Sequence, residues 1–338
     1  MLSILTWFYK HHWHTPPSML RLLTSITKSK YNVMSDKYYT YHCFGLNINS
    51  QFKCPELFSD EFSGEADVKI RFSQVPEKLN APKSYGVCYQ AKPGEFLLLV
   101  NEVARYLVRD GNEILIDPAP DADHDSIRLF LLGSALGALL QQRNMLVLHG
   151  SVVDIGDRCI TFVGHSGQGK STLATAFSQQ GYKLLGDDLC VIKFSDNGQA
   201  ATVYPGYPQT KLWQDALEQL NQDPETLSRI RPEISKRKLP IHQVFSRQPK
   251  PLSHLFQLGS TDGKNVQCSH LRGADIIECL KTHTYRQQYI LGHGIEVAHF
   301  KQCIALAQQI TAFDLKRPSN NQFYLSEMIT CVEAETRS

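Results

Sequence analysis

The sequence predicts an α/β protein. Its mixed core is built on a strand, a glycine-rich loop and a helix, and a small antiparallel β-rich domain precedes it. Three observations predict this. Between Tyr38 and Pro118, short runs alternate apolar and polar residues and are punctuated by turn-formers, which is the pattern of strands and hairpins. From Asp123 to Gln142, apolar residues recur at helical spacing. From Cys159, an apolar run leads into Gly164-His165-Ser166-Gly167-Gln168-Gly169-Lys170-Ser171 and then into a second helical pattern.

The elements follow in order. Tyr41 to Ile48 alternates as a strand, as does Asp67 to Phe72, and Glu95 to Val100 is a short apolar run. Val103 to Val108 and Glu113 to Ile116 flank Arg109-Asp110-Gly111-Asn112, a hairpin turn by composition. Pro118 and Pro120 end this unit. Asp123 or Asp125 caps the next helix, whose stripe is Leu129, Leu132, Leu136 and Leu139. Strands are expected at Leu146 to Leu148, Val152 to Ile155 and Cys159 to Val163, then a helix from Lys170 to Gln180. A further strand, Lys183 to Phe194, carries Asp187-Asp188 in its middle. Beyond residue 200, helices are expected at 212–220, 274–283 and 300–310, and strands at 255–258 and 313–315. The domains are therefore a basic N-terminal extension over 1–33, a β-rich domain over 34–120 and the loop-bearing domain over 121–338.

Composition narrows the class. The chain has 338 residues, 42% hydrophobic and 20% charged, the balance of an ordinary globular protein rather than a disordered one. A net charge of +2 does not suit a general nucleic-acid binder. The charge is split, however. Residues 1–33 hold Lys10, Arg21, Lys28 and Lys30 and no acid, so the remainder is acidic. Met34 is an alternative start. His11, His12 and His14 lack the acid or cysteine partners of a metal site, and a solvated tail is the expectation there. The nine cysteines have no CxxC spacing, which excludes the common zinc patterns and fits reduced thiols in the cytoplasm. No run reaches the roughly 18–20 apolar residues of a membrane span.

The loop carries the chemistry. Its glycines let successive N–H groups turn inward toward phosphate oxygens, and the helix that follows adds positive potential at its N-terminus. The expected nucleotide-binding set is Gly164, His165, Ser166, Gly167, Gln168, Gly169, Lys170, Ser171 and Thr172. Lys170 is expected to reach the β/γ-phosphates of ATP, and the Ser171 hydroxyl to ligate Mg²⁺. Adjacent carboxylates in an otherwise apolar strand are costly unless a cation or donor meets them. Asp187 and Asp188 are therefore expected at the metal and the reacting group. His149 ends the strand before the loop strand, where it can face the phosphate or orient an acid.

His149-Gly150, Gly164 fifteen residues on, and Asp187-Asp188 seventeen residues after Lys170 together resemble the HPr kinase/phosphorylase family. Gly181-Tyr182-Lys183-Leu184-Leu185 also fits the stretch before the acid pair. The resemblance covers about 146–194. It implies a P-loop core of the HPr kinase/phosphoenolpyruvate carboxykinase type, and an ATP-dependent kinase acting on a serine hydroxyl. It further implies catalytic roles for Asp187, His149, Asp188 and Lys170, with Asp187 the expected base and Ser171 and Asp188 on the metal. The family's E-x-R-G-x-G signature is absent. In its place stands Tyr204 to Trp213, which resembles divergent HPr-kinase-related proteins such as lasso-peptide kinases. That departure points away from phosphorylase activity and from HPr as substrate.

The expected partner is a peptide or protein carrying an acceptor serine, with no nucleic acid and no transmembrane segment, and with a homo-oligomer as a further expectation. Lys211, Lys236, Arg237 and Lys238 are candidate contacts for the transferring phosphoryl group, or else a solvated basic turn. A small-molecule hydroxyl kinase and a non-catalytic nucleotide-binding regulator are the alternatives, because one fold hosts many functions.

Overall fold

The computed structural model describes residues 37–337 apart from 196, 197, 199, 232, 233 and 321–323. The basic extension, its histidines and Met34 lie outside the described residues. Tyr38–Ser338 form one compact unit, a mixed α/β arrangement of three sheets and flanking helices.

The first sheet has nine strands, in the order Phe58–Ser59, Tyr39–Cys43, Leu46–Ser50, Val68–Phe72, Glu113–Pro118, Ala104–Arg109, Glu95–Val100, Tyr89–Lys92 and Ser84–Tyr85. The alternation from Tyr41 to Ile48 is not one strand. It is a hairpin with Cys43 opposite Leu46. Phe44 and Gly45 turn the chain with φ of 54° and 70°, the two-residue geometry that matches strand twist. A buried Phe in a position that usually takes Asn or Gly hid the turn. Nor is the sheet wholly antiparallel. Val68–Phe72 runs parallel to Leu46–Ser50 on one side and to Glu113–Pro118 on the other. The chain crosses over between these partners, and local alternation carries no record of which partner a strand meets.

Asp123 caps the next helix by accepting the Ser126 N–H at 2.8 Å. The helix His124–Phe130 passes through a π-helical turn, Leu131–Ala135, into Leu136–Gln142. Of the expected stripe, Leu132, Leu136 and Leu139 are buried in a shared cluster, whereas Leu129 is only half-buried. Ile127, Leu136 and Leu139 share one buried cluster with Tyr106, Val147 and Tyr285.

The second sheet holds the glycine-rich loop. Its hub is the long strand Lys250–Thr261, which runs parallel to Cys159–Val163 and to Thr311–Pro318 and antiparallel to Ala201–Tyr204. Cys159–Val163 is buried throughout, as a strand covered on both faces must be. The expected strand from Lys183 to Phe194 is broken. Lys183–Gly186 pairs with Gly150–Asp154, and Cys190–Phe194 pairs with Leu146–Leu148. Asp187 and Asp188 therefore sit in the break rather than in mid-strand. Asp188 has φ of 68°, which no ladder can continue through. The expected helix at 212–220 begins only at Gln214, because Gln209–Trp213 is a strand of the third sheet, beside Ile234–Pro240. The segments Gln288–His293 and Leu325–Thr336 are helices that the apolar pattern did not mark.

Candidate active site

Two chain segments change partners at the same level of the second sheet. The first passes from Leu146–Leu148 through His149 to Gly150–Asp154, and the second from Lys183–Gly186 through Asp187-Asp188 to Cys190–Phe194. This shared switch brings His149 to the acid pair. Gly150 is needed beside it, because a Cβ there would lie 2.8 Å from the carbonyl oxygen of Phe162, closer than any side chain tolerates.

The glycine-rich loop follows Cys159–Val163 and ends at Gly169, which precedes the helix Lys170–Gln179. Gly164 has φ of 149°, and a Cβ there would lie 2.8 Å from the Leu258 carbonyl oxygen, so only glycine fits. Lys170 is buried and donates across the loop to the carbonyls of Gly164 at 2.8 Å and His165 at 3.2 Å. Burial lowers its pKa, and Asp187 and Asp188 oppose that shift.

The two acids differ in their surroundings. Asp187 is 8% exposed. Its Oδ1 accepts the hydroxyls of Ser151 at 2.6 Å and Ser171 at 2.9 Å, and its Oδ2 accepts the Thr210 hydroxyl at 2.6 Å and the Lys211 N–H at 3.2 Å. Four donors converge on that carboxylate. Asp188 is half-buried and ion-paired with Lys211 at 2.8 Å. Burial pushes its carboxyl up, but Lys211, His149 and Lys236 outweigh this and hold it below the usual carboxylate range. Burial would likewise lower Lys211, and the charge of Asp188 raises it well above an ordinary lysine.

His149 Nδ1 lies 3.1 Å from the Asp188 carbonyl oxygen. A carbonyl only accepts, so Nδ1 carries the proton and Nε2 keeps its lone pair. Burial, then the charge of Lys170, lowers its pKa, which favours that neutral form. The His149 N–H is fixed by the His283 carbonyl at 2.7 Å.

Two cavities meet here. One, of about 130 Å³, is lined by the loop from Ser166 to Leu173 and reaches Trp213 and Met328. The other, of about 730 Å³, is lined by Gly164 to Ser166, by the π-helical turn and by 282–288. His149, Ser166, Asp188, Lys211 and Lys236 line both. The loop residues, both acids, His149, Lys211 and Lys236 are thus brought together, with Gln168 and Thr172 lining the smaller cavity and His165 the larger. Lys236 lies 5.1 Å over the Trp213 ring. Arg237 is elsewhere, donating to the Leu227 carbonyl and pairing with Glu225, and Lys238 pairs with Asp125. Arg317, Met328 and the segment 282–288 also line these cavities. They lie far along the chain from the loop and carry no motif, so no sequence signal marked them.

Fold and site define a mixed α/β protein with a strand, glycine-rich loop and helix beside an acid pair and a histidine. No family model matches the chain. Over 127 residues it is 27% identical to the HPr kinase/phosphorylase of Bacillus pumilus (strain SAFR-032), which covers 37% of this chain and 40% of that protein's length. Among solved structures, the Hpr(Ser) kinase/phosphatase from Coxiella burnetii is similar with a TM-score of 0.29 and 10% identity, over 56% of this chain and 90% of that one. The chain is thus similar in part to HPr kinase/phosphorylase, the family its motif spacing resembles, over less than half of that relative's length. Among the described residues no helix is long and apolar enough to cross a membrane.

Proposed function

We propose that the protein is an ATP-dependent kinase with a P-loop core, transferring the γ-phosphoryl group to a hydroxyl, foremost a serine of a peptide or protein. The observation that carries this reading is the junction of the two cavities at Asp188 and His149. One cavity follows the glycine-rich loop, and the other, which shares Asp188 and His149 with it, leaves room for an acceptor. The loop N–H groups and Lys170 hold the phosphates. The acceptor oxygen attacks phosphorus, the bond from phosphorus to the ADP oxygen breaks, and the acceptor proton passes to a carboxylate.

Asp188 suits that proton better than Asp187. Its side chain faces both cavities, whereas four donors occupy the Asp187 carboxylate. The hydrogen bonds favour exchanging the roles implied by the resemblance, with Asp188 as base and Asp187 beside Ser171 at the metal. His149, bound through Nδ1 to the Asp188 carbonyl, positions Asp188 from alongside. Among the described residues no cluster of three His, Cys, Asp or Glu could cage a metal. That suits Mg²⁺, which takes one or two carboxylates, waters and substrate phosphates. Ser171 and Asp187 are hard oxygen donors and would hold it, and the ion supplies charge neutralisation at the transferring group. Lys211 and Lys236 add positive charge on the acceptor side. All nine thiols are free, which supports a reducing cytoplasm.

The test is to incubate the full chain with Mg-ATP and serine peptides and to follow gain of one phosphoryl group on serine by mass spectrometry. Serine phosphorylation that requires Lys170 supports the reading. Intact ATP binding without transfer to any peptide or protein extract overturns it, and transfer to metabolite hydroxyls alone moves the reading to a small-molecule kinase.

A further inference from the structure

The larger cavity has walls that take no part in holding phosphate. One wall is the π-helical turn with Gly133 and Ser134, and the other is the segment 282–288. The segment is clamped from several sides. The Tyr285 N–H donates to the Val147 carbonyl at 2.8 Å, Gln141 donates to the Tyr285 carbonyl at 2.7 Å, and the Tyr289 N–H donates to the Arg286 carbonyl at 2.8 Å. The Tyr285 ring seats against Gly137, where a Cβ would come within 2.6 Å of it. Held this way, Arg286 adopts φ of 48°, a conformation that costs energy in any residue with a side chain. Asp188, which lines the same cavity, has φ of 68°. Both strained residues carry charge, and both line the cavity.

The charges are unequal. Among the described residues Asp188 is the sole acid lining the cavity, against Lys211, Lys236 and Arg286. Lys211 is committed to Asp188, and Lys236 to the Trp213 face. Arg286 is surrounded by Tyr285, Tyr289 and Cys88, with no carboxylate partner among the described residues. Arg286, Gln287 and Gln288 are exposed at the rim. A rim of two amides and a guanidinium that hydrogen-bonds Tyr285 and lies 5.8 Å over its ring but has no carboxylate partner among the described residues, over a cavity of about 730 Å³, suits an extended segment of chain better than a small molecule enclosed on all sides.

Resting on the reading of this site as a phosphoryl transferase, we propose that the larger cavity is the acceptor subsite. It takes a peptide segment whose reacting serine is flanked by an acidic residue, and that residue's carboxylate pairs with Arg286. Arg286 is a specificity-determining residue in this assignment. Asp188 and Arg286 line the cavity from separate segments of the chain, so the hydroxyl and the carboxylate are read by separate groups.

The experiment uses the full chain and two fluorescent serine peptides that differ only in Glu or Gln beside the serine. Binding is read by anisotropy, without need of turnover, and transfer is read with Mg-ATP. The Glu peptide is expected to bind roughly 10–100-fold tighter, the range for a hydrogen bond to a charged group. Arg286→Gln removes the preference, Arg286→Lys keeps most of it, and Arg286→Glu transfers it to a Lys-flanked peptide. Arg286→Gly separates charge loss from backbone relief, and thermal melts confirm that each variant folds. Equal binding of both peptides, or a preference that survives Arg286→Gln, overturns the proposal. So does transfer to small hydroxy acids with no peptide binding. Selective peptide binding without transfer would instead leave the subsite standing and overturn the kinase reading.

Discussion

The Ser171 hydroxyl donates to Asp187 Oδ1 at 2.9 Å, so the first turn of the loop helix and the acid pair form one hydrogen-bonded unit. This separates the two acids experimentally. Asp187→Asn presents an amide NH₂ to donors and leaves buried hydroxyls unsatisfied, at about 1.5–3 kcal/mol for each bond to the charged group. Its expected signature is a lower melting temperature and a loss of Mg-ATP affinity above about tenfold. Asp188→Asn is expected to lower kcat by roughly 10²–10⁴, the usual worth of a general base, with nucleotide affinity little changed. Calorimetric titration and initial rates on both variants decide the matter. The reverse pattern would return the base to Asp187.

Lys170→Ala is expected to lower phosphoryl transfer by at least about 10²–10³, the scale for losing one preorganised donor at developing charge. Lys170→Arg should recover little, because the buried ammonium fits between the Gly164 and His165 carbonyls and a guanidinium is wider. Single-turnover rates with saturating acceptor are the measurement. Full activity in either variant would remove the loop from the chemistry.

The glycine-rich loop, both acids and His149 were legible in the sequence because their chemistry depends on short spacings. What joins them was not. The junction of the cavities depends on two segments exchanging partners at one level of the sheet, and pairing is a long-range event that periodicity does not encode. The break at Asp187-Asp188 reads as a continuous strand because apolar residues flank it on both sides. The Phe44-Gly45 turn was hidden by a buried aromatic. Arg286 carries no motif at all, and its meaning comes from a strained backbone and neighbours distant in sequence. Lys236, Arg237 and Lys238 looked equivalent as a basic run. Their places on Ile234–Pro240 send only the first of them to the site.

The seat of Tyr285 on the helix gives two substitutions of opposite sign. At Gly137 an added Cβ meets the ring at 2.6 Å, and at Gly133 it meets only the hydroxyl, at 3.4 Å. Gly-to-Ala in a helix gains about 1 kcal/mol by propensity, and overpacking a tight contact costs about 1–3 kcal/mol. Gly133→Ala should therefore be neutral to stabilising. Gly137→Ala should be destabilising and should also weaken peptide binding, since it displaces the residue before Arg286. Urea melts of the two variants test the order, and equal midpoints would refute the seat.

His293 is buried at 4% exposure beside Phe96, and neither ring nitrogen has a partner among the described residues. Burial lowers its pKa from 6.5 to about 4. Between those values the unfolded chain binds a proton that the folded chain refuses, so stability rises with pH across the window. The contribution is fully present above about pH 6.5 and is lost as pH falls toward the folded value. From pH 7 to pH 5 this one group should cost about 2 kcal/mol of unfolding free energy, at about 1.4 kcal/mol per pH unit below its unfolded pKa. Other buried histidines, such as His283, add to the same slope, so the wild-type loss alone does not isolate it. His293→Leu places an apolar side chain in an apolar site and should reduce the loss between pH 7 and pH 5 by that amount, while leaving the fold intact at pH 7. Equal losses in wild type and variant would mean that His293 does not titrate on unfolding, and that the acid sensitivity of this fold comes from other buried groups such as His283, His254 and His299.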